Sequence, residues 1–319
     1  MRRTRAVRAQ FSLAVLFLLL GGLAAAQGDG TQKKDQQPPT FRVTTRLVNV
    51  FTTVTDAHGA PIGGLTKDDF RILEDGIPQT ISIFDRESAV PLSIVLEVDT
   101  SPSTQREFKL ETASAHKFVR SLGLRPVDRM SLFQVTQYVD QLTPFTSNVS
   151  KIERGIDLLR VGIGTSIYDA IDLGSEVLID REGRKVLVLI TDGGDTTSKA
   201  TYQSALRRAQ QAEAIVYSII IVPVEADAGR NLGGEHALIQ ISNDTGGKYY
   251  YASGGAQLDE AFRQIVDELR TQYLLAYYPN RQRSDASFRR IQVEVAKKDG
   301  DGKPYQARHR AGYFTAPAK

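Results

Sequence analysis

The chain is 319 residues long, 41% hydrophobic and 24% charged, enough for one large packed domain and a smaller companion. It contains no cysteine, which excludes disulfides, thiolate metal sites and cysteine nucleophiles. Its formal charge of +3 belongs to the N-terminus: losing the four arginines Arg2, Arg3, Arg5 and Arg8 leaves −1, and with it no case for nucleic-acid binding.

MRRTRAVRAQ, FSLAVLFLLL and GGLAAAQ follow one another in the order of a secretory signal: a basic segment, a short apolar core and a small-residue cleavage site. Residues 1–26 are predicted to be removed after Ala26, giving a periplasmic or extracellular protein exported by a Sec-type signal. A retained anchor is the competing reading, weakened because the apolar core is short for a bilayer span. Residues 27–40 (QGDGTQKKDQQPPT) read as a disordered linker. Residues 41–88 read as an N-terminal β segment. RVTTRLVNVFTTVTD alternates, AHGAPIGG is turn chemistry, and FRILEDGIPQTISIFD resembles a hairpin around Asp75-Gly76.

From Pro91, strands alternate with helices. LSIVLEVD, MSLFQVTQYV, KVLVLIT, IVYSIIIV and KYYYA read as strands. Helices are expected over Arg106–Leu122, Asn148–Arg160, Ser166–Asp180, Thr201–Ala214, His236–Asp244 and Leu258–Arg270. This predicts an α/β domain over residues 89–270, a doubly wound parallel sheet covered on both sides. Residues 271–319 return to β, with QYLLAYYP, FRRIQVEVA and ARHRAGYFT as strands. Neither β flank has enough strands for its own core, so the two are expected to pack as one sandwich around an inserted α/β domain. Two separate appendages are the alternative.

Doubly wound sheets bind ligands at the carboxyl ends of their strands. Asp99 ends one apolar strand and is followed by Ser101 and Ser103. Asp192 follows another, in TDGGD, and Thr165 lies between them in GIGTS. This all-oxygen set suits Mg²⁺, Mn²⁺ or Ca²⁺ rather than zinc or copper. Two carboxylates and three neutral hydroxyls would leave such an ion electrophilic, ready for a carboxylate from another molecule.

VDTSPS fits the D-x-S-x-S motif of von Willebrand factor A domains, and Gly164-Thr165 and Thr191–Gly193 fit that family's other two segments in order. Together they resemble a complete metal-ion-dependent adhesion site, over about Pro91–Arg270. The resemblance implies a six-stranded, mostly parallel, Rossmann-like sheet whose antiparallel edge strand would be MSLFQVTQYV. It implies direct metal contact from Ser101 and Ser103, with Thr165 as a further candidate, and Asp99 and Asp192 acting through waters or hydrogen bonds. The flanks resemble bacterial secreted VWFA-related proteins common in acidobacteria. One departure is GIGT, where the family more often has GGT; it places Ile163 at the loop.

Bland readings stand beside these. Ser101 and Ser103 could cap the following helix. Asp195 could add charge behind the metal or cap the helix that follows it, and Asp169 reads as organising a helix start. His58, His116, His236 and His309 lack ligand spacing, and Asp299–Gly302 reads as a turn rather than a calcium loop.

The leading functional reading is a non-enzymatic, metal-dependent protein-binding module whose partner presents an Asp or Glu. The alternatives are a Mg²⁺-dependent phosphoryl-transfer enzyme and a structural component of an envelope or secretion assembly. Against the enzyme, haloacid-type hydrolases have D-x-D after their strand where this chain has Glu97-x-Asp99-x-Ser101, and no histidine neighbours a candidate serine.

Overall fold

A computed structural model describes residues 47–86, 90–104, 108–222, 231–280 and 286–315, all within one compact unit, Thr44–Lys319. The expected signal and linker, residues 1–40, lie outside the described residues. In chain order come β1 (Val48–Thr55), β2 (Phe70–Glu74), β3 (Ile77–Gln79), β4 (Ile81–Arg86), β5 (Leu92–Asp99), α1 (Phe108–Ser121), β6 (Arg129–Val135) and β7 (Val139–Thr146). Next are α2 (Val149–Asp157), α3 (Ile167–Ile179), β8 (Arg184–Thr191), α4 (Tyr202–Ala212), β9 (Ala214–Ile221), α5 (Leu232–Thr245), β10 (Tyr249–Ala252) and α6 (Gly255–Thr271). Four strands close the chain: β11 (Tyr273–Tyr277), β12 (Phe288–Val295), β13 (Gln306–Arg308) and β14 (Gly312–Phe314).

The central sheet has six strands in the order β10-β9-β8-β5-β6-β7, parallel throughout except for β6–β7. Its interior strands lack alternation because helices cover both faces: every residue of β5 and of β9 is buried. Alternate side chains of β5 part company. Ile94, Leu96 and Val98 join the core under α1, α2 and α6, where Phe118 stacks on Phe262, and Val95 joins the core under α3, α4 and α5.

MSLFQVTQYV is not the antiparallel edge strand. Its first part is β6, buried at five of seven positions and paired parallel to β5. The chain then turns at Thr136–Tyr138 and returns as β7, the true edge. β7 is half-exposed and carries Pro144, which an edge strand tolerates and an interior strand does not.

Two four-stranded antiparallel sheets, β13-β1-β11-β4 and β14-β12-β2-β3, each draw strands from both sides of the α/β region. Val50, Ile72, Leu275 and Ile291 share their common core. Asp75 and Gly76, at φ 48° and 78°, form the left-handed turn of the β2–β3 hairpin. The hydroxyls of Tyr277 and Tyr313 both donate to Glu74, at 2.7 and 2.9 Å, so these buried tyrosines and the buried acid satisfy one another. ARHRAGYFT, expected as one strand, is two: β13 and β14 belong to different sheets. The crossing between them is pinned where the Ala311 N–H donates to the Asp244 carbonyl (2.8 Å) and buried Arg310 donates to the Asn49 carbonyl (2.6 Å).

His309 sits at this crossing. Its Nε2 accepts the Val293 N–H (3.1 Å) and its Nδ1 lies 2.8 Å from the Arg310 carbonyl, an arrangement that needs the neutral ring. Burial lowers its pKa below the usual 6.5. The folded state therefore binds fewer protons here than the unfolded chain, and this contribution is present above the unfolded value and lost as pH falls from there through the lower folded one. His309→Gln is expected to lose less urea stability than the wild type between about pH 7.5 and pH 5. Equal losses in the two proteins would exclude the assignment.

Candidate functional site

The site begins where β5 stops. Asp99 is fully buried at the strand's carboxyl end, where the Thr100 N–H still donates to the Val135 carbonyl (2.9 Å). One oxygen of the Asp99 carboxylate accepts the Ser101 N–H (2.9 Å), and the other accepts the Thr191 hydroxyl (2.7 Å) from the end of β8. The Ser101 side chain also hydrogen-bonds the carboxylate. Burial nevertheless pushes the Asp99 pKa up to about 6; the Thr191 and Ser101 donors oppose this and the half-buried Asp192 adds to it. Thr104 ties the next turn back, its hydroxyl donating to the carbonyls of Asp99 (3.2 Å) and Ser101 (3.1 Å).

Two further loops are fastened in series, one to this loop and the other to that one. The Gly162 N–H donates to the Thr100 carbonyl (2.9 Å). Buried Thr165 donates its N–H to the Thr196 hydroxyl (2.9 Å), and its carbonyl accepts the N–H groups of Thr196 (2.8 Å) and Thr197 (3.1 Å). Both loops need left-handed backbone at the glycine of their motif, Gly164 at φ 65° and Gly193 at φ 85°, which accounts for the glycine in G-T and in T-D-G. Asp192 accepts the Gly194 N–H (3.1 Å), which sets the carboxylate just beyond the strand end.

The other acids of the region serve the backbone. Ser166, at the start of α3, makes no side-chain cap bond; Asp195 supplies one instead, accepting the Ile167 N–H at 2.8 Å. It caps α3, which precedes it in the chain, and not the helix that follows. Asp169 accepts the N–H groups of Lys199 (3.0 Å) and Ala200 (2.7 Å), holding the loop after β8 against α3. Glu97 lies one pleat below Asp99, enclosed, with both oxygens unpartnered among the described residues; burial pushes its pKa up to about 8.

Asp99, Ser101, Thr165 and Asp192 are thus carried by the ends of two strands, β5 and β8, and by the loop between α2 and α3, which hydrogen bonds join into one rim. Ser103 belongs to the turn Pro102–Thr104, and its side chain lies outside the described residues. Among the described residues, neither Asp99 nor Asp192 forms an ion pair with Lys, Arg or His. A buried carboxylate with a second one nearby, beside neutral hydroxyls, is a donor set that fits a hard divalent cation. Sequence reasoning missed the Thr191 hydroxyl, which links Asp99 to Gly193 through the 3.1 Å bond it accepts. Its signal was the polar residue closing an otherwise apolar KVLVLIT. Thr196 was hidden in TTSK, which reads as an ordinary solvated loop.

Asp195→Ala is expected to cost about 1 kcal/mol in thermal or urea unfolding, the usual worth of an N-cap, and Asp195→Asn distinctly less because it keeps an acceptor. Equal costs would show that the acid's charge, not its capping bond, matters.

The von Willebrand factor type A domain model matches residues 93–264. No curated protein matches the chain. Among solved structures, a von Willebrand factor type A protein from Catenulispora acidiphila is 12% identical, covering 79% of this chain and 74% of that one, with a TM-score of 0.49. The conserved hypothetical protein BatB from Bacteroides thetaiotaomicron is 16% identical over 56% of this chain and 97% of its own (TM-score 0.46). The vWF domain of the type V pili tip protein Mfa5 from Porphyromonas gingivalis is 15% identical over 56% and 95% (TM-score 0.47). With the family model covering more than half of its length, the chain belongs to the von Willebrand factor type A domain family.

Proposed function

We propose that this chain is a metal-dependent protein-binding module, exported to the periplasm or cell exterior, that recognises a carboxylate on its partner. The observation that carries the reading is the buried Asp99 carboxylate, whose pKa the neighbouring Asp192 helps to raise, with neither acid in an ion pair among the described residues. Ser101, Ser103 and Thr165 would hold Mg²⁺, Mn²⁺ or Ca²⁺ as neutral ligands, with Asp99 and Asp192 orienting them through hydrogen bonds or waters. When bound, the ion supplies an electrophilic position for an Asp or Glu. Everything else is the chain's own work: Thr191 and the Ser101 N–H keep the Asp99 carboxylate turned to the rim. The α/β module inserted in a β-sandwich, and the removal of residues 1–26, belong to the same reading.

Phosphoryl transfer through an E-x-D pair is disfavoured because Glu97 is enclosed below the rim, away from any substrate. Among the described residues no helix is long and apolar enough to cross a membrane.

Titration with Mn²⁺, followed by electron paramagnetic resonance, tests the proposal. Asp99→Ala and Thr165→Ala are each expected to weaken Mn²⁺ binding at least tenfold, about 1.4 kcal/mol, as removal of metal-orienting groups generally does. Unchanged Mn²⁺ affinity in Asp99→Ala sinks it. A large Mg²⁺-dependent rise in melting temperature, with no carboxylate peptide bound, would favour a purely structural metal.

A further inference from the structure

The apolar residues exposed on the α/β module are unevenly placed. Nine large ones are exposed among the described residues of this module, and only Val127 and Ile179 lie at the end away from the site. The other seven are on segments at or beside the carboxyl edge of the sheet: Leu110 in the first turn of α1, Tyr138, Leu158, Val161, Ile163, Leu232 and Tyr251. Isolated exposed apolar residues need no explanation, but a cluster rimmed by polar groups marks a contact surface.

The densest part flanks Asp99 and Thr165. Ile163 is 72% exposed, Tyr138 67% and Leu158 57%, although each is on backbone that is firmly held. The Gln137 N–H donates to the Ile163 carbonyl (2.7 Å), joining the Tyr138 turn to the GIGT loop. The Ser166 N–H donates to the Thr136 carbonyl (2.8 Å) and its hydroxyl to the Gln137 carbonyl (3.0 Å). The Arg160 N–H donates to the Gln134 side chain (2.9 Å). These are rigid presentations of apolar side chains to water, and the ordering cost of binding is already met in the free protein.

We infer that Tyr138, Ile163, Leu158 and Val161 receive a large apolar side chain adjacent to the partner's acid, so that the recognised segment is an Asp or Glu next to an aromatic or aliphatic residue. This rests on the metal-dependent reading above and specifies its partner. Charge argues for the same occupant: Arg160, between Leu158 and Val161, is an exposed cation whose guanidinium donates to the Asp157 and Leu159 carbonyls beside these apolar residues, complementary to an acidic segment. Ile163, the residue that departs from the commoner G-G-T, is then a specificity determinant.

The test uses the purified chain in Mg²⁺ with three fluorescent peptides that differ at one position each, containing Asp-Phe, Asp-Ser or Asn-Phe. Asp-Phe is expected to bind about tenfold more tightly than Asp-Ser, with no measurable binding of Asn-Phe. Ile163→Ser and Tyr138→Ser should each bring the Asp-Phe affinity toward that of Asp-Ser, leaving Mn²⁺ affinity and melting temperature as in the wild type. Equal affinity for Asp-Phe and Asp-Ser, or no effect of either substitution, overturns the inference and leaves the metal reading standing. Absence of binding by both acidic peptides also overturns it, and the Mn²⁺ titration of Asp99→Ala then decides the parent reading separately. Concentration-dependent dimerisation, lost in Ile163→Ser, would overturn it in favour of contact with a second copy.

Discussion

A carboxylate buried at the end of a buried strand is the constraint around which this molecule is arranged. Removing an acid from water costs several kcal/mol, and a hydrogen bond to a charged group returns about 1.5–3 kcal/mol. Asp99 receives bonds from the Ser101 N–H, the Ser101 hydroxyl and the Thr191 hydroxyl. They do not fully offset burial and the nearby Asp192, since the pKa still rises from 3.8 to about 6, a deficit on the order of 3 kcal/mol. A site with an unrelieved negative charge, walled by hydroxyls, is one that a cation stabilises.

The surrounding loops show how that deficit is kept local. Four acids lie close together in the fold, and their fates differ by what donates to them. Asp195 is consumed by the start of α3 and Asp169 by the backbone after β8. Both are thereby removed from competition for a ligand while they lock the two loops together. Of these four, Asp99 and Asp192 are the two that no helix start or loop backbone consumes in this way. The same bonds that cap helices therefore define which carboxylates stay available, so fold and site are not separable here.

Reading the chain alone, the site is easier to find than the edges of the fold. Asp99 and Asp192 stand out as candidates because an uninterrupted apolar run closing on an acid is a strong local signal, and Ser101 and Thr165 because they fall in the motif segments beside them. Hydroxyls acting across the sheet, such as Thr191, are not, because their partner is 92 positions away. MSLFQVTQYV misled for a physical reason: β6 and β7 meet at a turn without glycine or proline, so a hairpin looks like one long strand. ARHRAGYFT misled in a similar way, since the switch between sheets at Arg310 is dictated by the Asn49 and Asp244 carbonyls, far away in sequence.

The remaining question is whether such a site can move. α6 passes into β11 through Gln272, whose side chain bonds the Thr53 hydroxyl (3.2 Å) and the Tyr217 hydroxyl (3.4 Å). Arg184 bonds both the Leu269 carbonyl and Gln272, and buried Glu268 pairs with Arg308 of β13 at 2.5 Å. Sliding α6 along the sheet would separate Glu268 from Arg308, and breaking a buried pair costs about 3–5 kcal/mol. The helix is thus fastened at its carboxyl end to the β-sandwich as well as to the sheet beside it. A displacement of α6 large enough to alter the rim would have to carry β11 and its neighbours with it. The geometry favours a receptor whose rim is set in advance over one that is switched by its last helix.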